Sequence, residues 1–109
     1  SEQNMMRREV LSKVMVIGVC KIVLSIDNAF SLKEKRSIIK SIIGRVKARY
    51  NASVAEVDMN DAWKNSTIGA ACVSNEGSYV DSMLEDIVRF VEKDGRAVLI
   101  DYSIERIYD

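Results

Sequence analysis

The chain contains no histidine among its 109 residues. Histidine is the commonest general base, a member of the usual catalytic triads and a frequent zinc ligand, so its absence removes these chemistries together. Glycine-rich nucleotide-binding patterns and the nucleophile elbow of hydrolases are also missing, and the five glycines are scattered along the chain. The sequence therefore predicts a protein that is not an enzyme and that has no metal centre, no cofactor and no small-molecule substrate.

Long hydrophobic runs are missing as well. The longest covers residues 14–20 and is interrupted by Lys21, whereas a helix needs about 20 apolar residues to cross a bilayer. Residues 1–13 are polar and lack the apolar segment and small-residue cleavage site of a secretory signal. We therefore expect a cytoplasmic protein without a membrane span.

Cysteine is scarce, since only Cys20 and Cys72 are present. Both lie inside apolar runs rather than in loops. This placement is typical of small buried side chains in a reducing compartment, and it argues against a structural disulfide.

Length and composition predict one domain. A chain of this size with 48% hydrophobic residues can bury a core without the help of disulfides or structural metal ions. We expect a flexible N-terminal tail over residues 1–13 and a single domain over residues 14–109. Met5, Met6 and Met15 are alternative natural starts, which would leave the residues before them foreign to the natural chain.

Hydrophobic periodicity predicts four strands and two amphipathic helices. The strands are expected at residues 14–26, 53–59, 67–74 and 97–108, and the helices at residues 31–50 and 79–93. Ser31 and Glu34 form a capping-box pattern at the start of the first helix, and Asp94 and Gly95 end the second. The last strand is either continuous or broken near Asp101.

The order β-α-β-β-α-β predicts an α+β, ferredoxin-like sandwich, with both helices on one face of an antiparallel sheet. The opposite face is left bare. Because Lys21 must avoid the core, alternation along the first strand turns Met15, Ile17, Val19 and Val23 to the bare face. Such an apolar face is usually covered, so we expect a homodimer or a protein partner with these four residues in the interface.

Positive charge is concentrated on the first helix. Residues 31–50 carry seven basic residues and one acid, although the formal net charge of the chain is zero. Helical spacing places most of the cations opposite the isoleucine stripe, with Lys35, Arg45 and Arg49 beside them. The candidate nucleic-acid contacts are Lys33, Lys35, Arg36, Lys40 and Lys47.

Two other interpretations of this helix remain open. Its charges can belong to a solvated surface, or they can pair with the acidic second helix or with a second subunit. Base stacking on the sheet is disfavoured, because the two central strands have no aromatic residues at outward positions. Contact with RNA would therefore use the helix and the phosphate backbone.

Glu56, Asp58 and Asp61 form the one carboxylate cluster that the sequence suggests. Residues i and i+2 of a strand share a face and could hold a divalent cation, although a solvated strand edge is the simpler interpretation. Nearby Trp63 either packs over the core or is an exposed anchor.

Three motifs carry a resemblance to a known family: SLKEKR at residues 31–36, NASVAEVD at residues 51–58, and Asp61-x-Trp63 followed by IGAACV. Together they resemble the YlxP-like family of small bacterial proteins of unknown function. The resemblance covers residues 14–108 and implies a ferredoxin-like fold, with an extra C-terminal strand in some members. This chain departs from many relatives in having no proline in the turn after the first strand.

The resemblance implies no catalytic residues. Members tend to be encoded beside genes for translation initiation and ribosome maturation, which favours a ribosome-associated or RNA-binding role. The leading hypothesis is therefore a non-enzymatic accessory factor that binds structured RNA or the ribosome through the basic helix. The alternative is a homodimeric protein-interaction module that uses the apolar sheet face and has no nucleic-acid role.

Overall fold

The computed structural model describes residues 15–27, 29–58 and 64–109. These residues form four strands and two helices in the predicted order. The strands are β1 (Val16–Ser25), β2 (Ser53–Asp58), β3 (Asn65–Ser74) and β4 (Val98–Tyr108), and the helices are α1 (Leu32–Arg49) and α2 (Gly77–Glu92). The predicted tail, Asp61 and Trp63 lie outside the described residues.

The sheet is antiparallel, with strand order β2-β3-β1-β4. This topology confirms the predicted ferredoxin-like α+β fold. β4 is one continuous strand of 11 residues. No further strand follows it in the part of the chain that the structure describes.

Each edge strand contains a bulge. In β4, Asp101 pairs with Val23 while Leu99 pairs with Leu24, so that Ile100 is an extra residue. In β2, Glu56 pairs with Ile68 while Asp58 pairs with Thr67, so that Val57 is extra. The β1–β3 ladder at the centre of the sheet runs through ten pairs without a register shift.

Ser31 caps α1 as predicted. Its Oγ accepts a hydrogen bond from the backbone N–H of Glu34 at 3.1 Å. The Glu34 carboxylate accepts from the N–H of Phe30 at 3.3 Å, one residue earlier than in a standard capping box. At the other end, Tyr50 has an extended backbone and terminates the helix.

Both helices pack on the same face of the sheet. Alternate residues of β1 from Val16 to Leu24, together with Ile26 just after the strand, are buried under them, as the sequence predicts. The largest fully buried side chains of this core are Ile22, Leu24, Ile26, Ile42, Val46, Ile68, Val80, Leu84, Ile87 and Val91. Cys20 and Cys72 are buried in the same layer as free thiols.

The sheet surface that faces away from the helices is called the open face here. It is formed by the residues that alternate with the core positions, including Ile17, Lys21 and Thr67. Within the described ranges, neither helix is long and apolar enough to span a bilayer.

Candidate nucleic-acid interface

Four of the five predicted nucleic-acid contacts lie together on the exposed side of α1. Lys33, Arg36, Lys40 and Lys47 are all exposed. At 3.6 residues per turn they fall within an arc of about 60°, and the distance from the first to the last is about 21 Å along the axis. These four residues are called the basic face.

Three of these cations are not compensated locally. Lys33, Lys40 and Lys47 form no ion pair with any residue that the structure describes. The positive potential of the basic face therefore reaches solvent. A row of like charges on one helix face attracts polyanions more strongly than the zero net charge of the chain suggests.

Lys35 is buried, contrary to the prediction from the sequence. We expected it beside the exposed cations, but it is 5% exposed. Its spacing explains the difference, because Lys35, Ile39 and Ile42 follow one another at intervals of four and three residues, the spacing of a buried helical stripe. The aliphatic stem of a lysine can occupy such a position at the end of a helix. Lys35 is therefore not available as a surface contact.

Arg45 and Arg49 turn toward α2. The guanidinium of Arg45 lies 5.3 Å from the centre of the Phe90 ring, and that of Arg49 lies 5.2 Å from the same ring. Tyr50 packs edge-on against Phe90 at 5.8 Å. These contacts are typical cation–π and aromatic geometries, so both arginines contribute to joining the two helices.

Arg45 also forms an ion pair with Asp94, at 2.6 Å, just after α2. Arg96 binds the same carboxylate through two nitrogens, at 2.7 and 2.8 Å. Hydrogen bonding from Arg96, with the charges of both arginines, lowers the pKa of the Asp94 carboxyl. Part of the predicted pairing between the basic helix and acidic groups of the second helical region therefore exists within one subunit.

The acids of α2 are largely compensated by nearby arginines. Arg89 lies 3.5 Å from Asp86 and 3.9 Å from Glu85 on the same helix. Arg106 of β4 forms a two-nitrogen ion pair with Asp81, and its hydrogen bonds lower the pKa of that carboxyl. The basic face of α1 thus differs from α2, where positive and negative groups pair.

The predicted interface residues have the expected direction. Ile17, Val19 and Val23 lie half-buried on the open face, and Met15 is half-buried just before β1. The described outward positions of β1 and β3 carry no aromatic side chain. Base stacking of the kind used by RNA-recognition sheets is therefore not available on these central strands.

Glu56 and Asp58 do not share a face. The bulge at Val57 separates them, because Glu56 pairs with core-facing Ile68 and Asp58 pairs with outward-facing Thr67. Glu56 instead accepts a hydrogen bond from the buried hydroxyl of Ser66. Within the described ranges, no group of three potential ligands could hold a metal ion.

Two features of the open face were not predicted from the sequence. Val57 lies over Gly69, where a Cβ atom would come to 2.7 Å from its side chain. Glu105 lies opposite Val19 and therefore beside Lys21 on the same face. In the sequence, only the alternation of β4 indicates which way the Glu105 side chain points. The bulge at Ile100 shifts this alternation by one residue and so reverses the predicted direction.

The fold has solved counterparts. The de novo designed protein Foldit4 superimposes with a TM-score of 0.51 at 16% identity, over 87% of this chain and 98% of that one. A second de novo designed protein, with a ferredoxin fold, gives a TM-score of 0.48 at 15% identity, over 85% of this chain and 83% of that one. At these identities the likeness concerns the fold alone.

Sequence comparison confirms the resemblance inferred from the motifs. The uncharacterized protein YlxP of Bacillus subtilis (strain 168) is 32% identical over 77 residues, which cover 71% of this chain and 84% of that protein. A family model described as "Protein of unknown function (DUF503)" matches residues 17–104. The chain therefore belongs to the DUF503 family of proteins of unknown function.

Proposed function

We propose that the protein is a non-enzymatic cytoplasmic accessory factor that binds structured RNA through the basic face of α1. The observation that carries this proposal is the row of exposed cations Lys33, Lys40 and Lys47, which no described acid neutralises. The resemblance to a family encoded beside translation and ribosome-maturation genes supports RNA as the polyanion.

The shape of the basic face suits a phosphate backbone. Its length of about 21 Å is enough to follow several consecutive phosphates. Between the lysines lies Gly44, which is exposed and has no neighbouring atom within 4 Å of the position that a Cβ would occupy. Because no side chain projects from the helix at this position, a sugar-phosphate strand can approach the helix backbone closely.

The expected recognition is electrostatic. Lysine contacts with phosphates contribute affinity without reading bases. Each contact releases counterions, so that log K falls with log salt by about 0.9 for each phosphate neutralised on a duplex. The protein should therefore bind duplex RNA of any sequence, with an affinity that falls steeply as salt increases.

The test is a salt series on labelled double-stranded RNA from about 50 to 200 mM monovalent salt. The double variant Lys33→Gln/Lys40→Gln removes two cations of the basic face. It should bind more weakly at every salt concentration, and its log–log slope should be smaller by about 2. Circular dichroism must first show that the variant is folded like the parent.

Arg89→Gln/Lys93→Gln is the matched control, since it removes two exposed cations from the C-terminal end of α2. It should leave both affinity and slope close to those of the parent. Equal losses in the two variants would mean that binding follows total charge and not the basic face. A parent protein that fails to bind RNA or ribosomal subunits at the lowest salt would contradict the proposed function.

A further inference from the structure

The open face exposes apolar side chains on both edge strands and on β3. The larger ones are Val57, Val73, Val98 and Ile107, each at least 47% exposed. Ile17, Val19 and Val23 continue the surface across β1. Monomeric proteins rarely leave so continuous an apolar patch in water.

Three charged side chains lie near the middle of this apolar surface. Lys21 is opposite Ser103, and the next outward residues along β4 are Glu105 on one side, opposite Val19, and Asp101 on the other, opposite Val23. Lys21 and Glu105 border a small depression of about 140 Å³ together with Ser103. Both residues are exposed, and neither forms an ion pair with any residue that the structure describes.

We propose that the open face binds a second copy of this chain, with Lys21 of each protomer paired to Glu105 of the other. In face-to-face packing the two-fold axis lies in the plane between the sheets. An axis that passes between Lys21 and Glu105 places each ammonium over the partner's carboxylate. A single symmetry operation thus forms two identical ion pairs and covers the surrounding apolar residues.

The charge arrangement is what identifies the occupant. A surface with a cation and an anion side by side is complementary to itself, whereas an apolar face alone would not select its partner. Glu105, unlike Asp101, borders the same depression as Lys21. Charges that become buried without a partner are costly, so the pairing favours the register in which Lys21 meets Glu105 of the partner subunit. This interface uses the opposite side of the domain from the basic face and does not depend on RNA binding.

The size of the face approaches that of a stable interface. The ten paired residues of β1 and β3 extend about 30 Å, β4 is of similar length, and β2 has only six residues. The flat area is therefore about 500 Å² at about 4.8 Å per strand, and the accessible area of a corrugated surface is larger. Stable complexes bury about 800 Å² for each partner.

The edges of the sheet are less suited to self-association. β2 and β4 each contain a bulge, at Val57 and Ile100. Bulged edge strands are a common means of preventing strand-to-strand pairing between molecules. The bulges leave the face, and not the edge, as the surface on which a second sheet can pack.

Charge reversal tests the proposal directly. Analytical ultracentrifugation of the parent should show a dimer, and Lys21→Glu and Glu105→Lys should each raise the dimer dissociation constant by at least about 100-fold, because two like-charge contacts replace two ion pairs. An equimolar mixture of the two variants should dimerise again. In that heterodimer every contact at the axis joins opposite charges.

Recovery of the dimer on mixing requires that the two charges pair between subunits. Pairing within one protomer, or a loss of folding in either variant, would not produce a heterodimer. Lys40→Glu on the basic face is the matched control and should remain dimeric. A parent that is monomeric at about 100 µM, or a variant mixture that stays monomeric, would overturn the proposal and leave another segment or protein as the occupant.

Discussion

Gly18 of β1 lies directly beneath Val80 of α2. A Cβ atom at Gly18 would overlap the Val80 side chain and come to 2.8 Å from Leu84 Cδ1. The absence of a side chain at this position therefore allows α2 to approach the central strand closely. Both contacting side chains are fully buried, so neither can move aside into solvent.

Gly18→Ala should lower the free energy of unfolding by about 1–3 kcal/mol, the usual cost of overpacking a core. Gly44→Ala is the contrasting control, because its new methyl group meets nothing within 4 Å in an exposed position of α1. Helix propensity predicts a gain of about 1 kcal/mol for that variant. Urea denaturation of both proteins should give opposite signs, and a neutral Gly18→Ala would contradict the close packing.

Asp94→Asn should destabilise the protein at neutral pH by about 2 kcal/mol, because the carboxylate accepts charged hydrogen bonds from Arg45 and Arg96. The Asp94 side chain is 3% exposed, whereas those of Arg45 and Arg96 are 54% and 40% exposed, so water screens these contacts in part. The measurement is urea denaturation of the parent and the variant at pH 7.

The difference should depend on pH in one direction. The folded pKa of Asp94 lies below its ordinary value, so its contribution is fully present above about pH 4 and is lost as the pH falls through the folded pKa. The gap between parent and Asp94→Asn should therefore close in acid. Glu92→Gln is the matched control, because it removes an exposed acid of α2 that forms no ion pair with any residue that the structure describes. A constant gap down to about pH 2 would contradict this role of Asp94.

The two thiols should be almost unreactive in the folded protein. Burial, with smaller contributions from Glu85 and Cys72, raises the pKa of Cys20 to about 11, and burial also raises the pKa of Cys72. Because the thiolate is the reactive form, Cys20 should react with an aromatic disulfide reagent at about pH 8 at least about 100-fold more slowly than in denaturant. Rapid labelling of either residue under native conditions would reveal local opening of the sheet–helix layer.

Much of the fold could be predicted from the sequence because its signals are local. The isoleucines of α1 recur at helical spacing, Ser31 and Glu34 mark the helix start, and Lys21 fixes which side of β1 faces solvent. These inferences depend on residues within one element, where periodicity determines direction.

The candidate sites were less predictable because they depend on contacts between elements. Charge composition grouped Lys35 with the exposed lysines, although its spacing from Ile39 places it in the buried stripe. Arg45 and Arg49 are indistinguishable in sequence from solvent-facing cations until Phe90 and Asp94 are brought beside them. The separation of Glu56 from Asp58 follows from a bulge, for which the sequence has no clear signal.

The bulge at Ile100 determines where the length of β4 can change. A chain without Ile100 would pair Leu99 with Leu24 and Asp101 with Val23 as consecutive rungs of a regular ladder. Loss of one residue further along the strand would instead exchange the two faces for every following side chain. Glu105 would then point toward the helices and Arg106 would point away from Asp81. A single-residue deletion in β4 is therefore compatible with the present surfaces at the bulge, where Ile100 has no pairing partner on β1.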